Sequence, residues 1–221
     1  MNLFPSAQKT CKIIFFRQLK LSFFDGATLL NAFIFLLLSV CVFHIAIGYN
    51  ALPSIAALGI LMVCVIFSLI LACPYLIVND YDDGCWEQFY LTNVPLEYIL
   101  LSKILAQIFC YLVLFITVSP LLFIVMQLKW QMFPNFLLAA NLLICITCFN
   151  VAFASAVSIG SSNNFLAPLL TLPLAIPSTI IATIVMHTPT YWLALLGLLI
   201  ILCPVFILAG AIALKHALAH D

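Results

Sequence analysis

Charge is what this chain of 221 residues lacks: seven Lys or Arg and seven Asp or Glu make 6% charged side chains against 67% hydrophobic ones. Residues 26–79, 104–128 and 130–214 carry no charged side chain at all. Such a composition cannot cover a surface with polar groups in water, which excludes a soluble globular fold and leaves an integral membrane protein. The alternating apolar and polar segments that close a membrane barrel are missing as well. The spans are therefore predicted to be helices, which satisfy their own backbone hydrogen bonds in lipid.

Other absences narrow the function. No Gly-x-x-x-x-Gly-Lys-Ser/Thr phosphate loop occurs, so the chain is not itself a P-loop ATPase and is not expected to be an enzyme. Its nine cysteines, at 11, 41, 64, 73, 85, 110, 145, 148 and 203, are odd in number and lack framework spacing, against a disulfide scaffold. Cys145-Ile-Thr-Cys148 lies mid-span without the strand-to-helix context of a redox site, so it reads as two small apolar side chains in a helix. No small-residue cleavage site follows a short apolar region near Lys9–Phe24, so that segment is not expected to be a removed signal. No nucleic-acid partner is expected.

Cutting the apolar stretches at turn signals gives six spans: Leu29–Ile47, Ile55–Val78, Leu101–Val125, Phe136–Ile159, Asn164–Met186 and Tyr191–Leu214. Each is close to the roughly 20 residues a helix needs to cross a bilayer. The expected fold is all-α and polytopic, with six transmembrane helices in one membrane domain over 1–221. Residues 1–25 precede the first span. There Lys9, Lys12, Arg17 and Lys20 share a broad side into which Ile13, Phe16 and Phe24 intrude. That mixture suits a helix lying at the headgroups, and equally a short positive flank that only sets topology.

These four cations, Lys103 at the loop between spans two and three, and Lys215 after the sixth span all fall on one side, leaving Lys129 opposite. The positive-inside rule puts that side, with both termini and the loop, in the cytoplasm. With Lys103 counted to the loop, no Asp, Glu, Lys or Arg lies inside a span, where ion-driven carriers commonly keep one. Energy for any work is then expected to arrive from outside the chain, although cation sites built of carbonyls and hydroxyls stay open.

The loop over residues 79–103 holds most of the acidic side chains. Gly84 or Asp83 is expected to cap a short helix whose Glu87 reaches back to its start, with the aspartates favouring its positive end. Trp86, Phe89 and Tyr90 then share a face at i, i+3 and i+4, beside Asp82, Asp83, Glu87 and Gln88. Pro95 suits the first turn of the next helix, where Glu97 also favours the dipole. An aromatic face rimmed by carboxylates fits a protein contact, and equally a belt of rings in the headgroup zone.

Inside the spans, Ala152, Ala156 and Gly160 form a small-residue ridge for close helix approach, and Asn141 and Asn150 are expected to hydrogen-bond across helices. A substrate contact by Asn150 is the second reading. Pro168, Pro173 and Pro177 each remove a backbone donor, so the fifth span is predicted to be kinked or partly broken, a conformational element. Neighbouring helices, or Ser178 and Thr179, are expected to satisfy the freed carbonyls. His44 and Met186-His187 are residue types that ligate heme iron, though a His at a membrane boundary ordinarily serves as an interfacial hydrogen bonder. His216 and His220 are assigned to the cytoplasmic tail.

The pattern Asp83-Gly84, Glu87-Gln88, Leu91, Pro95 and Lys103 resembles the first cytoplasmic loop of ABC-2-type transporter permeases. The stretch Leu170-Thr-Leu-Pro-Leu-Ala-Ile-Pro-Ser-Thr179, with the length and the six-span layout, resembles the CcmB, or heme exporter protein B, family. The resemblance implies an ABC-2-type permease fold in a bacterial inner membrane, or a mitochondrial one, and a homodimer within a larger complex. It implies that residues 79–103 form a coupling loop docking on a separate ATPase, CcmA, with CcmC, CcmD and the heme chaperone CcmE as further partners. ATP turnover on CcmA would be coupled to release of heme-loaded CcmE, with heme as cargo of the complex and no cofactor in this chain. Trp86, Trp130 and Trp192 are the only tryptophans, so the Trp-rich heme-handling motif of CcmC-like proteins is absent. Two alternatives stand beside this reading: a generic ABC-2 exporter permease for a lipid, glycan or drug, and an assembly subunit that passes no molecule.

Overall fold

The computed structural model describes residues 7–24, 27–48, 53–72, 75–92, 94–159 and 166–220. Among them the chain is helical, with α1 Ala7–Phe24, α2 Ala27–Ile47, α3 Ser54–Ala72, α4 Tyr75–Asp82, α5 Cys85–Tyr90, α6 Leu96–Val125, α7 Phe133–Ser158, α8 Leu166–His187 and α9 Trp192–His220. Single 3-10 turns at Trp130–Met132 and Pro189–Tyr191 lead into α7 and α9. Six of these helices, α2, α3, α6, α7, α8 and α9, are long and apolar enough to cross a membrane.

α7 forms the centre, packing most extensively on α8 and α9 and also on α6 and α3. Its length is lined with buried small side chains, Ala139, Ala140, Ala152, Ala154 and Ala156. Lipid tails are as apolar as leucine, so helices associate here through close van der Waals fit, and small residues permit it. Gly210 of α9 shows how close that fit is: a Cβ placed there would meet Leu100 Cδ2 at 3.2 Å and Ala156 Cβ at 3.8 Å. The outer helices instead present large apolar side chains, among them Leu38, Val42 and Ile45 of α2 and Ile201, Leu208 and Ile212 of α9, all more than half exposed. In water that would be untenable; against acyl chains it costs nothing.

Three element boundaries differ from the sequence expectation. The second span was placed through Val78, but α3 ends at Ala72 and the separate α4 carries Ile77 and Val78. The third was started at Leu101, yet α6 begins at Leu96 right after Pro95 and runs 30 residues, about 45 Å at 1.5 Å per residue. A hydrocarbon core of about 30 Å leaves several turns of α6 outside it. The sixth continues past Leu214 to His220, so Lys215 and His216 belong to the helix rather than to a tail.

The excess length of α6 and α9 meets at one end of the bundle, where Lys215 Nζ lies 2.8 Å from Glu97 Oε1. α1 runs alongside the first turns of α6 in the same direction. The Cys11 thiol approaches the Tyr98 carbonyl at 3.8 Å, and the Ser22 hydroxyl donates to Gln107 Oε1 at 3.1 Å. Ile14 and Gln18 of α1 face inward while Ile13, Phe16 and Phe23 remain about half exposed or more beside the exposed Lys9, Lys12 and Lys20. That surface sets apolar rings among ammonium groups.

Candidate functional site

The short α4 and α5 stand at the polar end, hinged at Gly84. Gly84 adopts φ +68°, a left-handed conformation that a side chain disfavours by about 1–2 kcal/mol, and its N–H closes the turn on the Tyr81 carbonyl at 2.9 Å. The capping box expected from Glu87 does not form; no side chain bonds the start of α5. Glu87 is left exposed along with Asp82, Asp83, Gln88 and Tyr90.

Trp86 departs from the expected aromatic docking face. It is fully enclosed, its indole N–H donating to the Ile77 carbonyl of α4 at 3.1 Å. Phe89, half-buried, meets it edge-on with ring centroids 5.7 Å apart. α5 thus has two sides. One turns Glu87, Gln88 and Tyr90 outward, and the other presses Trp86 and Phe89 into the protein.

What they press against is Lys103, assigned from sequence to the loop but found inside α6 with no exposed surface. Its ammonium lies 4.4 Å from the Trp86 ring centroid and 5.6 Å from that of Phe89. It forms an ion pair with Asp80 of α4, itself buried. Asp80 also receives Arg17 of α1 at 3.4 Å, and the Arg17 guanidinium in turn sits 3.7 Å from the Cys85 thiol and 5.9 Å from the Phe89 ring. An ammonium removed from water without partners would cost several kcal/mol. Here a carboxylate and two ring faces replace its hydration, the cation–π share alone being about 2 kcal/mol when desolvated.

This cluster joins four elements, α1, α4, α5 and α6, through named side chains. The sequence reading had missed the Asp80–Lys103 pair. Its signal was present, because Asp80 and Lys103 are the charges at which the apolar stretches 26–79 and 104–128 begin and end.

The proline-bearing α8 is continuous from Leu166 to His187, with Pro168 in its first turn and Pro173 and Pro177 in its interior. Of the kink or partial break expected there, the break is absent. The hydroxyls of Ser178 and Thr179 bond the Ala175 and Ile176 carbonyls, not those that the two interior prolines leave without a donor. Prolines also sit inside α6 at Pro120 and α9 at Pro204. Asn150 of α7 does reach across, its amide donating to the Leu174 carbonyl of α8 at 3.3 Å. Asn141 shows no such bond from its side-chain oxygen among the described residues, and Gly160 of the small-residue ridge lies outside them.

At the opposite end, His44 lines a cavity of about 70 Å³ with Met126, Gln127 and Ser54. Met186 is buried at the end of α8, and the His187 side chain lies outside the described set. No cluster of three His, Cys, Asp or Glu suited to a metal occurs among the described residues.

Against known proteins, the chain is 31% identical over 176 residues to heme exporter protein B of Haemophilus influenzae, covering 77% of this chain and 78% of that one. It is 29% identical over 170 residues to heme exporter protein B of Pseudomonas aeruginosa, covering 76% of each. A shorter match, 33% over 94 residues, covers 42% of this chain and 43% of heme exporter protein B from Escherichia coli K12. The family described as CcmB protein matches residues 9–221, nearly the whole length. A multi-pass helical membrane chain with this match belongs to the CcmB protein family.

Proposed function

We propose that the chain is the membrane permease subunit of an ABC-type complex for cytochrome c maturation. In this reading ATP hydrolysis on a separate CcmA-like subunit is coupled, through α4 and α5, to heme delivery and release of a heme-loaded CcmE-like chaperone. CcmC- and CcmD-like proteins complete the assembly, the chain acts as a homodimer, and heme is cargo of the complex. The polar end faces the cytoplasm of a bacterial inner membrane, in keeping with its collected Lys and Arg. The relatives' names, heme exporter protein B, support the cargo.

The observation that carries the ATPase contact is the outward side of α5. In a chain with 6% charged residues, Asp82, Asp83, Glu87, Gln88 and Tyr90 stand exposed together on two short helices. A pad of carboxylates and an aromatic ring suits a soluble partner's recess. The test is recovery of the ATPase with tagged chain from membranes. Glu87→Lys is expected to lower that recovery about tenfold, the equivalent of one contact worth about 1.4 kcal/mol, and to lower holocytochrome c with it, at unchanged abundance of the chain. Undiminished ATPase recovery and holocytochrome c would overturn the contact. Recovery of an ATPase without CcmC- or CcmE-like proteins would point to a generic exporter instead.

A further inference from the structure

We infer that the buried Lys103, with Asp80, Trp86 and Arg17, is the joint that passes a displacement of α5 into the membrane helices, so that Lys103 is a positioning residue for coupling rather than part of the docking surface. The inference rests on the reading of α5 as the ATPase contact and goes beyond it.

Geometry sets the joint's course. A load on the outer side of α5 acts through the opposite side, which consists of Trp86 and the half-buried Phe89. Both rings face the Lys103 ammonium, at 4.4 and 5.6 Å. Lys103 lies in the outer turns of α6, a helix that continues unbroken to Val125 at the far end of the bundle. Asp80 holds the same ammonium from α4 and branches to Arg17 of α1. Among the described residues α5 packs against α4 and α6, and Arg17 of α1 reaches its Cys85 and Phe89.

The chemistry explains why a charge stands where a leucine would pack. An apolar contact at this place would hold a short helix by fit alone, with many small contacts and no single partner that must be kept. A buried ammonium must keep its carboxylate and ring faces or lie uncompensated in a poor dielectric. Moving α5 therefore obliges α6 to follow. The turn at Gly84, in the left-handed conformation, lets α5 rotate about α4 without either helix bending. Cys85, half-buried against the Arg17 guanidinium at 3.7 Å, sits at the seam and reports on that motion.

The experiment uses the intact complex, with Cys85 as the only cysteine accessible to a thiol reagent. In the parent, the labelling rate of Cys85 is expected to differ between nucleotide-free and vanadate-trapped complexes. In Lys103→Met the ATPase is expected at parental recovery, the nucleotide-dependent change at Cys85 is lost, and holocytochrome c falls about tenfold or more, as for loss of an interaction worth about 1.4 kcal/mol. Parental holocytochrome c in Lys103→Met overturns the joint, as does a fall in ATPase recovery that accounts for the lost output. Should Lys103→Met fail to accumulate, Trp86→Leu decides, because it keeps both charges and most of the volume while removing the ring face. Retained ATPase with reduced output and no change at Cys85 supports the joint, and parental output sinks it. Failure of the parent chain itself to recover an ATPase would instead remove the docking reading on which the joint rests.

Discussion

The two ends of the helix bundle are held by different forces. At one end, ion pairs link Arg17, Asp80 and Lys103 and, separately, Glu97 and Lys215, so that α1, α4, α6 and α9 meet through charge. At the other, where α6 turns into α7, Phe123 is ringed by Phe133, Phe136 and Trp130 with centroids 5.1, 4.9 and 6.2 Å away. That turn carries Gln127 at φ +52°, and its Leu128 N–H returns to the Phe123 carbonyl at 3.1 Å. A packed aromatic cluster has one good arrangement and resists rearrangement. Ion pairs and cation–π contacts at the polar end hold a buried charge to its partners, so that partners shift together, and two helices no longer than eight residues bear them. The contrast separates an anchored end from one that can transmit motion.

The all-or-none test of the contrast is sidedness. Single-cysteine variants retaining Cys85, or carrying Trp130→Cys, should be labelled from opposite faces of the membrane by an impermeant reagent. Labelling of both from one face would place the two ends on the same side and dissolve the comparison.

Stability should then be lost far more at the aromatic cluster than at the exposed Glu97–Lys215 pair. Phe123→Ala removes a ring that is 1% exposed, and about 3–5 kcal/mol is expected for such a cavity, read as a lower thermal midpoint and lower abundance in membranes. A change under about 1 kcal/mol would show that the cluster is not an anchor.

Between the two in size is the effect of the prolines in α8. Pro173 and Pro177 present exposed side chains on a continuous helix. Replacing both with Ala adds two backbone donors without emptying the core, so insertion should be unchanged. Holocytochrome c is expected to fall about threefold, an energy near 0.65 kcal/mol, if this helix must distort during work. Parental output at matched abundance would remove α8 from the moving part.

The smallest effect belongs to the second ion pair. Lys215 and Glu97 side chains are 46% and 27% exposed, and a screened pair of that kind contributes about 0–1 kcal/mol. Glu97→Gln should therefore leave abundance and thermal midpoint nearly unchanged. A loss above about 2 kcal/mol would mean that charge also anchors the polar end.

Composition alone determined that the chain spans a membrane as helices, because a charge-free run of 54 residues, 26–79, leaves no other solution. The number of spans and the short helix after Gly84 follow from the same local chemistry: turn residues between apolar runs, and Pro95 opening the next helix. Local spacing put Trp86, Phe89 and Tyr90 on one face, yet Tyr90 turns outward while Trp86 is enclosed, and spacing could not say which way the helix faces. Only tertiary packing decided that, since Trp86 is drawn inward by a cation 17 positions later in the chain and by a carbonyl on α4. The same holds for Lys103. Its charge marks a span boundary in the sequence, yet its burial depends on Asp80 and two rings from two other helices arriving together, and no window of neighbouring residues contains that information.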